Sequence, residues 1–356
     1  MALLYFDGFE TYENYGDLSV VQTEKIAGIT SNASAAWMSF ADAGRNAGRC
    51  ITLDYAALQD FHFNISLRAD YATLIVGFAV KVHSGEDYPW YSRGLLIFKH
   101  GSTIHTNLTL DANRRFCLYR GDGVLMTTAS VGSLPVNTWR YVQVKTTISN
   151  SAGSYLLKVG DETAIDISGV DTCNGATEAT NNVQLGCPAQ ITYSIVTDFD
   201  DLYICDTTGT KNNDFLGDVR CDALFPDGAG TYANFTPSAG ANYENVDEAV
   251  PDDDTTYNES STIGHQDSYA LDALSVPNST TIHGVKSQIT ARKTDATARV
   301  VKTLTRAGTT DQLGAVFSLS DDYTTFADVH ENNPDDAAAW EDADVNGMEV
   351  GLEVIS

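Results

Sequence analysis

The residues best placed by type and spacing to do chemistry are three aspartates in TDFDDLYICD (197–206): Asp198, Asp200 and Asp201. Alternate residues of a β-strand share a face, so Asp198 and Asp200 present two carboxylates side by side. Paired hard oxygens suit Ca²⁺, which takes about six to eight oxygen ligands, and this run supplies only part of such a shell. The plainer expectation is a strand entering from a loop with its acids in water. Asp252, Asp253 and Asp254 form a denser run. Consecutive side chains of an extended chain diverge, however, which suits a solvated loop.

A second candidate is EDYPWYSRG (86–94), where Tyr88, Trp90 and Tyr91 stand near Arg93. Aromatic faces cover the C–H surface of a sugar ring while neighbouring polar groups orient its hydroxyls. The same residues equally suit packing on a sandwich rim or an interface with a neighbouring subunit. Retaining glycoside hydrolysis needs two carboxylates about 5–5.5 Å apart, one with a raised pKa. The Glu-x-Asp-x-x-Glu strand pattern of sugar-cleaving sandwiches is missing; ENVDE (244–248) has the wrong spacing and a loop-like setting. Histidines 62, 83, 100, 105, 265, 283 and 330 form no HxH or HExxH pair, although His100 and His105 flank a turn. No GxSxG, phosphate-loop or dinucleotide fingerprint is present. The expectation is a chain without catalytic or cofactor-binding residues.

The elements that must hold these residues read as strands. Twenty-eight glycines, seventeen tyrosines and fourteen phenylalanines against eight prolines favour β-structure. TLIVGFAVKV (73–82), RGLLIFKHG (93–101) and NTWRYVQVKTTISN (137–150) are strand-like. Hairpins are expected about Gly121-Asp122-Gly123 and Gly160-Asp161. After the aspartate strand, TTGTKNND has no apolar side chain to bury, which marks an exposed connector. LGDVRCDALFPDGAG then reads as a new strand ending at Pro226-Asp227-Gly228. TTIHGVKSQITARKTDATARVVKTLTRAG (280–308) reads as a hairpin across KTDAT, and 335–347 as a short helix. The grammar is all-β: two β-sandwich domains, 1–208 and 216–356, with 209–215 as linker and very little helix.

The formal net charge is −27, and the 26 acidic and 8 basic residues from Lys211 onward leave that stretch at −18. Phosphate binding needs a basic face, so nucleic acid is excluded as a partner. Cysteines 50, 117, 173, 187, 205 and 221 show no zinc-like spacing. Buried thiols of a reducing cytoplasm are expected, with Cys173 and Cys187 the first pair to test for a bridge. MALLYFDGFETY carries neither a basic leader region nor an apolar run long enough for a membrane span.

LLYFDGFETY, NTWRYVQVKTTIS and DFDDLYICD resemble the concanavalin A-like (laminin-G-like) jelly-roll sandwich of tailed-bacteriophage structural proteins. NNDFLGDVRCDALFPDGAGTYANFTPSAGANYENVDE, ITARKTDATAR and AWEDADVNGMEVGLEV resemble the second module that often accompanies it. The resemblance implies a virion component on the particle exterior, most simply tail-associated, assembled in the host cytoplasm and touching other virion subunits through loops and edges. It transfers no catalytic residues. Homo-oligomerisation, a capsid-decoration role and a host-surface glycan-binding adhesin are the accompanying expectations, the last through Tyr88, Trp90, Tyr91 and Arg93.

Overall fold

The computed structural model describes residues 2–12, 29–31, 38–46, 48–54, 61–83, 93–111, 113–187, 196–274, 276–277 and 280–356. Apart from short stretches before residue 28, the chain divides into two units, the first ending at Cys221 and the second running from Asp222 to Ser356. Both are β-structures, and no helix among the described residues is long and apolar enough to cross a membrane.

In chain order the strands of the first unit are β1 (Leu3–Asp7), β2 (Ile29–Ser31), β3 (Met38–Ala41), β4 (Cys50–Asp54) and β5 (Phe61–Tyr71). There follow β6 (Thr73–Val82), β7 (Arg93–His100), β8 (Thr103–Leu110), β9 (Arg115–Arg120) and β10 (Leu125–Ser133). The last five are β11 (Arg140–Thr147), β12 (Gly153–Val159), β13 (Glu162–Val170), β14 (Thr180–Cys187) and β15 (Val196–Cys205). An eight-stranded sheet runs β13-β12-β11-β6-β15-β4-β3, with β1 also paired to β15; a seven-stranded sheet runs β10-β9-β8-β7-β14-β5-β2. The β9–β10 and β12–β13 hairpins form where the glycine turns place them.

Alternation decides what each sheet buries. Leu74, Val76, Phe78 and Val80 of β6 face Phe63, Leu96, Phe98 and Leu185 across the core, all fully buried. Phe98 meets Tyr155 of the opposite sheet edge-on, with ring centroids 6.5 Å apart. Each such side chain taken from water contributes about 2 kcal/mol.

β15 is buried along almost its whole length because both its faces are covered. Phe199 and Ile204 enter the core. On the outer face the Tyr203 ring lies where a Cβ on Gly77 would come within 2.1 Å, so only glycine fits at that cross-strand position. Residues 207–211 of the segment expected as an exposed connector are exposed, and the chain directly after it lies over this outer face. Leu216 N–H donates to Tyr203 Oη (3.2 Å), and Gly217 N–H donates to Gln143 Oε1 (2.8 Å). The Lys145 ammonium meets Asp214 at 3.2 Å, and that of Lys158 sits 5.1 Å from the Phe215 ring centroid. Phe215, Leu216 and Gly217 pack here, and the backbone N–H groups of the last two find acceptors because the sheet's outer face carries Tyr203 and Gln143.

The second unit has β16 (Pro226–Ala233), β17 (Thr236–Pro237), β18 (Asn258–Glu259), β19 (Gln266–Leu271) and β20 (Val285–Ala291). It closes with β21 (Val300–Ala307), β22 (Thr310–Ser318), β23 (Thr324–His330) and β24 (Glu349–Val354). A five-stranded sheet, β16-β19-β24-β21-β22, accompanies the pairs β17-β18 and β20-β23. Three expectations change here. The arms of the 280–308 hairpin do not pair: β20 pairs β23, and β21 pairs β22 and β24. β20 and β21 instead meet side chain to side chain, with the Ser287 and Thr305 hydroxyls 2.5 Å apart and Ile289 packed with Val301, Phe317 and Phe326. KTDAT is therefore a connection between sheets. Pro226 opens a strand instead of closing one; β16 lies at the sheet edge, where a missing N–H is tolerated. The helix expected over 335–347 shortens to Asp342–Asn346, seating Val345 in a cluster with Ala307, Trp340 and Met348.

Candidate functional site

The aspartates of β15 lie in a closed network. Asp198 sits in register between Thr52 of β4 and Lys81 of β6. Its Oδ1 accepts from Thr52 Oγ1 (2.8 Å), while Oδ2 lies 2.7 Å from both Lys81 Nζ and His83 Nε2. The Lys81 ammonium also stands 4.7 Å from the Trp139 ring centroid. Asp200 shares the outer face, as alternation requires. Its oxygens accept the backbone N–H groups of Arg45 (2.7 Å) and Asp201 (2.8 Å). Asp201 occupies a left-handed conformation (φ 50°) at a break in register with β6, which turns its side chain toward Arg45, Asn46 and the N–H of Cys221 (2.8 Å). Arg45 in turn holds Asp218 and donates to Val219 O (3.2 Å).

These carboxylates were expected in water; they are only 2%, 3% and 2% exposed. Thr52, Lys81 and His83 answer Asp198, while the turn about Arg45 and the N–H of Cys221 supply donors to Asp200 and Asp201 that make burial tolerable. Burial pushes Asp200 up to about 7, with the neighbouring charge of Asp201 adding to it. Cys50 is pushed up to about 12, first by burial and then by Asp198. Among the described residues no group of three or more His, Cys, Asp or Glu side chains is arranged to hold a metal ion.

Tyr88, Trp90 and Tyr91 lie outside the described residues, as does the side chain of Arg93, whose backbone opens β7. His100 and His105 do not act together. His100 meets Asp70 at 3.3 Å, while His105 is buried and its Nδ1 accepts the Asn174 N–H (3.1 Å). Burial lowers its pKa and keeps the ring neutral. Cys173 is a buried free thiol donating to the carbonyls of Gly175 and Thr177, and the Cys187 side chain lies outside the described residues. Of the denser acidic run, Asp254 pairs with Arg292 and Asp252 accepts from Thr256.

The opposite sheet differs. Across the seven-stranded sheet, Asn64, Gln184, Ile97, Asn107 and Tyr119 are successive cross-strand partners on β5, β14, β7, β8 and β9. Their chain neighbours Phe63, Leu185, Phe98 and Leu108 point into the core, so this row faces outward. The adjoining row carries Ser66, Asn182 and Lys99. Gln184 is fully buried: its Oε1 accepts from Lys99 Nζ (3.1 Å), and its Nε2 has no partner. An ammonium only donates, which fixes the amide this way round. Asn182 Nδ2 donates to Ser66 Oγ (3.3 Å), leaving its Oδ1 unpartnered, as is Asn107 Oδ1. Asn107, Asn182 and Tyr119 are half-buried; Asn182 lies two residues from Gln184 on β14, while Asn107 and Tyr119 follow beyond Ile97. Neither row contains a carboxylate. Leaving a buried polar group unpaired costs about 1–3 kcal/mol. Ile97, between Gln184 and Asn107 in the row, is fully buried as well, so these unpaired atoms lie beneath the surface of the sheet's outer side. Nothing in TIHTNLTL or TNNVQLG singled out these amides; the only hint is polar residues at alternate positions of apolar strands.

No family model and no curated protein sequence matches the chain. Solved structures similar to it are β-sandwiches. The complex of alginate lyase Aly36B with an alginate trisaccharide is 15% identical, covers 57% of this chain and 97% of its own, and has a TM-score of 0.42. The catalytic domain of a glycoside hydrolase family 131 protein from Coprinopsis cinerea is 9% identical over 57% of this chain and 94% of its own (TM-score 0.41). Carbohydrate-binding module CBM66 from Bacillus subtilis is 12% identical over 51% and 97% (TM-score 0.33). One expectation is corrected by these likenesses. The missing glycosidase strand pattern had set catalysis aside, yet alginate lyases and a glycoside hydrolase stand among the similar sandwiches beside a binding module.

Proposed function

We propose that the chain is a glycan-recognising protein of a phage particle's exterior, tail-associated, whose first sandwich meets host-surface carbohydrate with the outer face of its seven-stranded sheet. The observation that carries the glycan reading is the carboxylate-free run of amides on these outer strand positions, of which Asn107 and Asn182 are half-buried. Sugar hydroxyls both donate and accept, which suits the amides of Asn107 and Asn182, and Tyr119 at the end of the row offers a ring to sugar C–H surface. The virion placement is supported by the sequence resemblance of LLYFDGFETY, DFDDLYICD and the second-unit motifs. A capsid-decoration site on the particle is served by the same surface.

The test is a glycan array probed with the purified chain and with the double variant Asn107→Leu, Gln184→Leu. Binding by the native protein that the variant loses supports the reading; silence across host polysaccharides, or binding the variant keeps, contradicts it. Oligosaccharide release in the same incubations reads out turnover and would make the face an active site. Immunogold labelling of intact particles tests the placement, which an unlabelled virion overturns.

A further inference from the structure

We infer that Asn174–Gly175, on the loop between β13 and β14, is the position at which the folded chain deamidates itself, while the second Asn-Gly pair, Asn346–Gly347, is held inert by the fold. Asn-Gly occurs at these two places in the sequence. In such a pair the glycine backbone nitrogen attacks Cγ of the asparagine and closes a five-membered ring. The amide nitrogen leaves as ammonia, carrying away the proton that the glycine N–H gives up. Water then opens the ring, at the side-chain carbonyl to give aspartate or at the main-chain carbonyl to give isoaspartate. Nothing but water is consumed. Because the attack is intramolecular, its rate follows how freely the two groups reach each other.

Exposure alone would select the wrong pair. Asn346 and Gly347 are both exposed, whereas Asn174 is half-buried beside an exposed Gly175. Hydrogen bonding separates the two pairs the other way. Asn346 closes the helix Asp342–Asn346; its Oδ1 accepts from the Leu274 N–H (2.7 Å), and its Nδ2 donates to Leu274 O and Asp342 Oδ1 (both 3.2 Å). The Gly347 N–H donates to Asp344 O (3.2 Å), so both reacting groups are tied down. Asn174 donates its backbone N–H to His105 Nδ1 (3.1 Å), but its side-chain amide has no hydrogen-bond partner among the described residues, and neither has the Gly175 N–H. Gly175 also stands at φ 121°, a conformation open to glycine, and a Cβ built there would meet nothing nearer than Thr103 at 3.8 Å. The loop can therefore swing into the ring-closing geometry without breaking a contact of either reacting group. Isoaspartate routes the main chain through Cβ and lengthens the loop whose Gly175 and Thr177 carbonyls accept from Cys173 Sγ at 3.4 and 3.3 Å. The buried Cys173 thiol is uncovered as a result.

The experiment incubates the full chain at mildly alkaline pH, natively and in denaturant, and follows both pairs by peptide mass spectrometry, with isoaspartate read by enzymatic methyl transfer. In the native chain Asn174 should convert at least about tenfold faster than Asn346, which must first break its hydrogen bonds. In denaturant the two rates should converge. Equal native rates, or faster conversion at Asn346, overturn the inference. A preference for Asn174 that persists undiminished in denaturant overturns it as well, since the cause then lies in neighbouring sequence and not in the fold. Asn174→Gln should remove the faster native conversion and leave that of Asn346 unchanged; unfolding midpoints establish that the variant is folded, and Asn174→Ser serves if it is not. Cys173 in the isoaspartate fraction should react with a thiol reagent several-fold faster than in fresh protein, and an unchanged rate overturns its uncovering.

Discussion

The two outer faces of the first sandwich carry polar side chains in similar positions and treat them oppositely. On the eight-stranded sheet, Asp198, Asp200, Asp201, Gln143 and Tyr203 are answered by Lys81, Thr52, Arg45 and the backbone N–H groups of residues 206–221. On the seven-stranded sheet, Gln184, Asn107 and Asn182 keep groups that the described chain leaves unanswered. Charge density is therefore a poor guide to a site: the carboxylates are the costlier groups to bury, so folding supplies them with partners first. An amide is cheap enough to leave partly unpaired, and it is amides on this sheet that keep buried groups without a partner.

This contrast predicts effects of opposite kind on the two faces. Asp198→Ala should cost the most, about 3 kcal/mol of stability, because it leaves the Lys81 ammonium buried without its counter-charge. Calorimetric unfolding checks it, and an unchanged midpoint would reopen the acid row as something other than a structural network. Gly77→Ala should cost roughly 1–3 kcal/mol by driving a methyl into the Tyr203 ring. Hydrogen exchange should then quicken at Leu216 and Gly217, whose N–H groups depend on that ring and on Gln143.

Asp200 gives the contrast a pH dependence. Its folded pKa of about 7 stands above the unfolded value, so folding favours the protonated form. Its contribution is complete below about pH 4 and is lost as pH rises to about 7. The wild type should thus lose stability relative to Asp200→Asn across that window, and parallel curves for the two would remove Asp200 as the titrating group. The smallest effect belongs to the seven-stranded sheet: Asn107→Leu should move stability by less than about 1 kcal/mol, since it deletes an unpaired oxygen.

Legibility in the sequence followed the same division. Local signals read correctly: the all-β grammar, the glycine-centred hairpins β9–β10 and β12–β13, and the shared face of Asp198 and Asp200. Non-local pairing was hidden, because β20 and β21 have the composition of hairpin arms and only the core tells which strand each prefers. TTGTKNND read correctly as an exposed connector, since residues 207–211 are exposed, but the docking of Phe215 to Gly217 directly after it on the sheet's outer face depends on non-local partners. The amides at 107, 182 and 184 were invisible for a related reason, since a missing partner has no pattern in one dimension.

The most direct measurement is a paired determination, on Asp198→Ala and on the Asn107→Leu, Gln184→Leu double variant, of unfolding midpoint and affinity for glycan. The account predicts a large fall in midpoint for the first, and near-native stability with lost binding for the second. A double variant that binds as well as the native chain, or an Asp198→Ala protein of native stability that alone loses binding, would contradict it.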